Sequence, residues 1–202
     1  TAIMNSSGLF AYNTATNVDF SVTIRTKDGK GSGWASRNYS DVNLLDTKEA
    51  SEIAIAKSKG SVDAKEMEPG KYTVILEPAA SVGLLGRLAG AFDQRQADEG
   101  RSFLSNQVEE GKEGPKNKLG QKMFDERVHI YSDPSHAIAP TAPFSGNGFP
   151  RGKVDWIKGG VVTTMPNTPY WAKHTDAKYV PPGGAYIMAG GDDSLEDMIK
   201  NP

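Results

Sequence analysis

The chain has 202 residues, 37% hydrophobic and 24% charged, and its 23 basic and 25 acidic side chains leave a net charge of −2. That is room for one or two domains with a sizeable core, and the charge balance argues against electrostatic nucleic-acid binding and against a polybasic membrane-surface protein. No cysteine is present, which rules out disulfides, thiolate metal ligands and thiol nucleophiles within these residues.

No apolar run approaches the roughly 20 residues that span a bilayer, and no signal-peptide pattern opens the chain. The expectation is a soluble cytoplasmic protein without a membrane partner. Beginning at Thr1 and ending at Asn201-Pro202 just after a helix-like stretch, the sequence reads as an excerpt of a longer chain.

Val18 to Thr26 alternates apolar and polar residues, the period of a half-buried strand. Asp28-Gly29 is a hairpin turn, and residues 31–36 read as the return strand, with Gly31 and Gly33 where something approaches closely. Asp46-Thr47-Lys48-Glu49 has capping-box spacing and predicts a helix over 47–59 that buries Ala50, Ile53, Ala54 and Ala56. Lys57, Lys59 and Gly60 supply its basic last turn and stop. Glu68-Pro69-Gly70-Lys71 is a turn, and Tyr72 to Leu76 is rich enough in β-branched and aromatic residues to predict a strand.

Residues 79–97 predict a second helix, with Pro78 in its first turn and Leu84, Leu85, Leu88, Ala91 and Phe92 at helical spacing. Gly83, Gly86 and Gly90 each weaken it by about 1 kcal/mol relative to Ala, which suggests that another backbone packs against them. The span 105–118 is poor in apolar residues and reads as a mobile, solvated loop. Glu126 to Tyr131 alternates as a strand, with Val128 and Ile130 on one face, and Asp133-Pro134 stops it. Residues 134–152 form an irregular connection. Two short strands flank Gly159-Gly160 within 153–164, and prolines keep the remainder open until a helix at Ser194–Lys200 capped by Ser194 with Asp197. The fold class is α+β, mainly antiparallel sheet with two sizeable helices.

The residues alone do not define a reaction. His129, His136 and His174 have neither the partner nor the spacing of a metal-binding helix, and packing or surface roles are the ordinary reading. Gly29 to Gly33 superficially resembles a phosphate loop but connects two strands instead of opening a helix. Asp93, Asp98 and Glu99 could serve as acid and base, yet Arg87, Arg95 and Arg101 are interleaved with them, so a salt-bridged surface is the simpler reading.

The order and spacing of Pro69 to Leu76, the Gly-rich run Val82 to Phe92, Gly100 to Leu104, Leu119 to Lys122 and the strand ending at Asp133-Pro134 resemble the TldD/PmbA family. The likeness extends less securely upstream through Asn5 to Gly8 and downstream through Phe149 to Gly152. Chains of that family are about twice as long, so the resemblance implies that 1–202 is a partial domain, lacking an N-terminal α/β domain and the C-terminal end. It implies zinc-dependent proteolysis of short or unfolded peptides by a complex of TldD and TldE (PmbA) subunits. The family's other name, modulator of DNA gyrase, implies an indirect effect through peptide or antitoxin turnover.

In TldD-type subunits a helix carries H-E-x-x-x-H, two zinc ligands and a general base. Here the matching window holds Gly86, Arg87 and Ala91. Glycine and alanine offer no donor atom, and arginine is no base near neutral pH. The resemblance therefore implies a TldE/PmbA-like subunit with no catalytic, cofactor-binding or metal residue on this helix, and zinc in a TldD-like partner. Two alternatives stand beside it: an active metallopeptidase with ligands elsewhere, in further segments or in a rearranged site using His136 or His174, and a homodimeric peptide-binding protein.

Overall fold

The computed structural model describes residues 1–107, 114 and 116–200. Among them the elements run β1 (Ala2–Met4), β2 (Phe10–Tyr12), β3 (Val18–Arg25), β4 (Ser32–Tyr39), α1 (Thr47–Gly60), α2 (Pro78–Ala91) and α3 (Gln94–Asp98). They continue with β5 (Ile130–Ser132), β6 (Val154–Lys158), β7 (Val161–Val162), α4 (Pro169–His174), β8 (Ile187–Met188) and α5 (Leu195–Lys200). This is the α+β, antiparallel architecture with two sizeable helices that the sequence predicts. The chain divides into two compact units, one made of residues 15–75 and the other of residues 1–14 together with the described residues from Leu76 onward.

In the smaller unit, β3 and β4 pair antiparallel from Val18↔Tyr39 to Arg25↔Ser32. The turn between them places Gly29 at φ +72°, a conformation that favours glycine. Phe20, Val22 and Ile24 face Ala35 of β4 and Ala50 and Ala54 of α1 in one cluster. A Cβ at Gly31 or Gly33 would overlap the backbone oxygens of Ser58 and Ala54, so the close approach expected at these glycines is that of α1 itself. Asp46 caps α1 by accepting from the Glu49 N–H at 2.9 Å. Ala50 and Ala54 are buried as predicted, but Ala56 is exposed and Ser58 takes the inward position one turn after Ala54.

The predicted strand Tyr72–Leu76 does not form. Its residues join no sheet, and Tyr72, Val74, Ile75 and Leu76 are exposed. Strand propensity describes residues that suit a pleated surface; here no described strand pairs with them.

In the larger unit, β7-β6-β5-β8 form a four-stranded antiparallel sheet. The β6–β7 hairpin turns on Gly159 and Gly160, both at positive φ. The predicted strand 126–131 is displaced, because Glu126 and Arg127 turn over the Asp125 carboxylate and pairing runs from Ile130 to Ser132. The core gathers Phe92, Ala97, Leu104, Ile130, Trp156, Ile157, Val162 and Met165. The helix predicted over 79–97 is interrupted: Phe92 leaves the axis to enter this core, and Asp93 starts α3 by accepting from the Gln96 N–H at 2.8 Å. Four elements went unpredicted: the β1–β2 hairpin, β8, and α4, which opens on a Thr168 cap with Pro169 in its first turn. Half of the loop expected over 105–118, residues 108–113 and 115, lies outside the described residues; its ends are tied by Asn106 N–H to Lys116 O at 2.9 Å and Lys118 N–H to Leu104 O at 2.8 Å.

Candidate functional site

The window Gly86, Arg87 and Ala91 lies on α2, whose other side turns Leu85 and Leu88 onto the core. Beneath them Ala89 and Phe92 meet Ile130, Trp156 and Tyr186. Burial pushes the Tyr186 phenol above its ordinary value, partly offset by a hydrogen bond from the Gly183 backbone and by the charge of Arg151. Away from the core, Val82, Leu84, Gly86 and Arg87 are exposed.

A Cβ at Gly83, Gly86 or Gly90 would meet nothing within 4 Å. The backbone expected to pack on these glycines is therefore absent among the described residues, and the helix is left with an open apolar face. A zinc ion does not fit the window, because Gly86 and Ala91 have no side-chain donor and Arg87 is a cation. Among the described residues, no three His, Asp or Glu side chains group where they could hold a metal.

The histidines have separate surroundings. His129 Nε2 lies 2.9 Å from Asp155 Oδ1, and Lys158 stands 3.4 Å from the other carboxylate oxygen. The hydrogen bond with His129, then the Lys158 ammonium, holds the Asp155 carboxyl below its usual range despite partial desolvation. His136 uses Nδ1 to accept from the Ile138 and Ala139 N–H groups at 3.3 and 3.2 Å, locking a local turn. The Tyr131 ring stands between these two, 5.1 Å from His129 and 6.3 Å from His136. His174 ends α4 and packs on Tyr170 and Trp171 at 6.0 and 5.0 Å.

The acidic residues hold structure together. Asp93 is the α3 cap, and Asp98 accepts from Trp171 Nε1 at 2.8 Å and from Asn117 Nδ2. Glu99 pairs with Arg95 at 2.8 Å and with Arg101. Those two guanidinium groups lower its carboxyl pKa, and Glu99 in turn raises that of Arg95.

One feature of the larger unit was hidden in sequence. A cavity of about 500 Å³ opens among residues 132–156 and 178–184, walled by Phe149, Arg151, Trp156 and Tyr179. In sequence the segment 134–152 has only the character of an irregular connection. Phe149 to Gly152 and Tyr179 to Pro182 supply much of the wall, and nothing in their local pattern marks them as meeting.

A hairpin-and-helix unit and an antiparallel sheet whose core takes Leu85 and Leu88 of a Gly-rich helix make a two-part α+β protein. A family model described as the PmbA/TldA metallopeptidase central domain matches residues 1–58, and the corresponding C-terminal domain matches residues 69–202. The chain belongs to the PmbA/TldD family. The family-model matches part between residues 58 and 69, whereas in space the two units divide after residue 75 and residues 1–14 cluster with the larger unit.

The fold is similar to a candidate modulator of DNA gyrase from Bacteroides thetaiotaomicron, with TM-score 0.78 and 23% identity over 97% of this chain and 44% of that one. A second such protein from Thermotoga maritima gives 0.78 and 19% over 98% and 46%. TldE from Thermococcus kodakarensis gives 0.72 and 20% over 99% and 47%. The chain thus spans less than half the length of these relatives. No match was found among curated proteins. No helix among the described residues is long and apolar enough to cross a membrane.

Proposed function

We propose that the chain is part of a TldE/PmbA-type subunit, non-catalytic by itself, that joins a zinc-dependent TldD-type protease in the cytoplasm to degrade short or unfolded peptides. The observation that carries this reading is the α2 window: Gly86, Arg87 and Ala91 stand where a metal helix needs two ligands and a base. The exposed Val82 and Leu84 beside the open glycines suit a helix face covered by another protein surface. The test is zinc content of the full-length protein, purified alone and dialysed against a weak chelator, then again after mixing with a TldD-type subunit. Zinc only in the mixture, with peptide cleavage appearing alongside it, is the expected result. About one tightly held zinc per chain in the protein alone, the occupancy of a single site, refutes the proposal. Self-association without binding a TldD-type subunit would favour the homodimeric peptide-binding alternative.

A further inference from the structure

We infer that the cavity beside Trp156 is a binding site for the C-terminal carboxylate of an apolar peptide. At about 500 Å³ it falls in the ~300–1,000 Å³ range of small-ligand sites. Its walls combine the rings of Phe149, Tyr179 and Trp156 with three cations, Arg151, Lys153 and Lys178, and contain no Asp or Glu. Phe149 and Tyr179 meet edge to face at 4.6 Å, so the aromatic wall is preformed.

Arg151 carries the charge argument. Arg37 and Arg151 are the partly buried arginines among the described residues. Arg37 has a carboxylate partner, Glu49 at 3.3 Å, whereas Arg151 has no ion pair among the described residues. Its guanidinium instead donates from Nε to Pro182 O at 3.0 Å and from Nη1 to Phe144 O at 3.1 Å. These bonds fix the fork and leave Nη2 without an acceptor among the described residues. A partly desolvated guanidinium so held is preorganised for a carboxylate oxygen.

Lys153 lies over the Tyr131 ring at 5.4 Å. The nearby Asp133 carboxylate feels its charge and is held by the Ser135 hydroxyl and N–H, which donate to Oδ1 at 2.7 and 2.9 Å, so Asp133 partly offsets Lys153 and the main cationic contribution is that of Arg151. Charge and apolar lining together select a carboxylate attached to an apolar body. The choice of a peptide as that body rests on the peptide-turnover reading; recognition of the carboxylate does not.

Isothermal titration of the full-length protein, free of any partner, tests the site with Ala-Ala-Phe as the free acid, its C-terminal amide, and Ala-Glu-Phe amide. The ¹⁵N–¹H signal of the Trp156 indole, which donates to Ser132 Oγ at 2.7 Å, reports occupancy. The free acid should bind about tenfold more tightly than the amide, and Lys178→Gln should weaken it about three- to tenfold.

Gly152 lines the cavity, has no strained φ, and a Cβ there meets nothing within 4 Å. Gly152→Leu should therefore abolish binding while leaving the thermal midpoint in place. Equal affinity for acid and amide, no binding at all, or binding undiminished in both variants overturns the site. Preference for Ala-Glu-Phe amide overturns the C-terminal assignment. Because the titration uses no metal and no partner, failure of the subunit reading leaves its outcome intact, and a failed titration leaves the zinc measurement standing.

Discussion

Two leucines separated by burial test how this fold is held together. Leu104 is 0% exposed in the core of the larger unit, whereas Leu84 on α2 is 58% exposed. Truncating Leu104 to Ala removes three carbons from a fully packed site, and buried Leu→Ala changes cost about 2–5 kcal/mol through lost transfer energy plus the residual cavity. Leu104 also sits where the chain is pinned on both sides, with Lys118 donating to its carbonyl and its own N–H bonded to Ser102 Oγ. Collapse around the vacancy is therefore hindered, and the loss should fall in the upper half of that range. Leu84→Ala gives up little buried area and gains slightly in helix propensity, so it should shift stability by less than about 0.5 kcal/mol. Urea unfolding, followed by the fluorescence of the larger unit, should show the Leu104→Ala midpoint falling with an unchanged slope. Equal effects of the two substitutions would refute the placement of the core, and a large Leu84→Ala loss would mean that the exposed face of α2 is covered in solution.

The glycines offer a second contrast. Gly33→Ala forces a methyl into the Ala54 carbonyl and should cost at least about 2 kcal/mol, while Gly83→Ala, in open space on α2, should stabilise by up to about 1 kcal/mol; thermal midpoints of the pair check both signs. Asn167 is buried and bonds Gln94, the Lys178 carbonyl and the Val180 N–H at 2.8, 3.0 and 3.0 Å. Asn167→Leu should lose about 2–4 kcal/mol by stranding these groups, read by chemical denaturation. The side-chain hydrogen bond from Arg127, helped by its N–H and charge, lowers the Asp125 carboxyl from 3.8 to about 2. A carboxyl depressed on folding contributes its stabilisation above the unfolded value, and that contribution fades as pH falls from about 4 towards 2. An NMR titration should find the Asp125 midpoint near 2, rising towards the ordinary value in Arg127→Gln; a midpoint unmoved by that substitution refutes the assignment.

Local chemistry alone determined the elements whose residues satisfy one another nearby. The β3–β4 hairpin is written in its alternation and its Asp-Gly turn, α1 in the Asp46 cap, and the β6–β7 turn in Gly159-Gly160, since each needs only neighbours in sequence. The closeness demanded by Gly31 and Gly33 was legible too, although its cause, the backbone of α1, is a tertiary fact. The absence of metal donors at Gly86, Arg87 and Ala91 is likewise a property of side-chain chemistry.

Tertiary structure decided the rest. The same glycine spacing on α2 faces open space, because what packs against a glycine depends on residues distant in the chain. Phe92 breaks a continuous helical pattern by entering the core, and Tyr72–Leu76, with the local composition of a strand, pairs with no described strand. The cavity forms where residues 132–156 and 178–184 meet, and there Arg151 donates to the carbonyls of Phe144, 7 residues before it, and Pro182, 31 residues after it. No periodicity encodes such a meeting: a strand or cap is set by neighbours, whereas a binding site is set by which distant segments arrive together and which charges they leave unpaired.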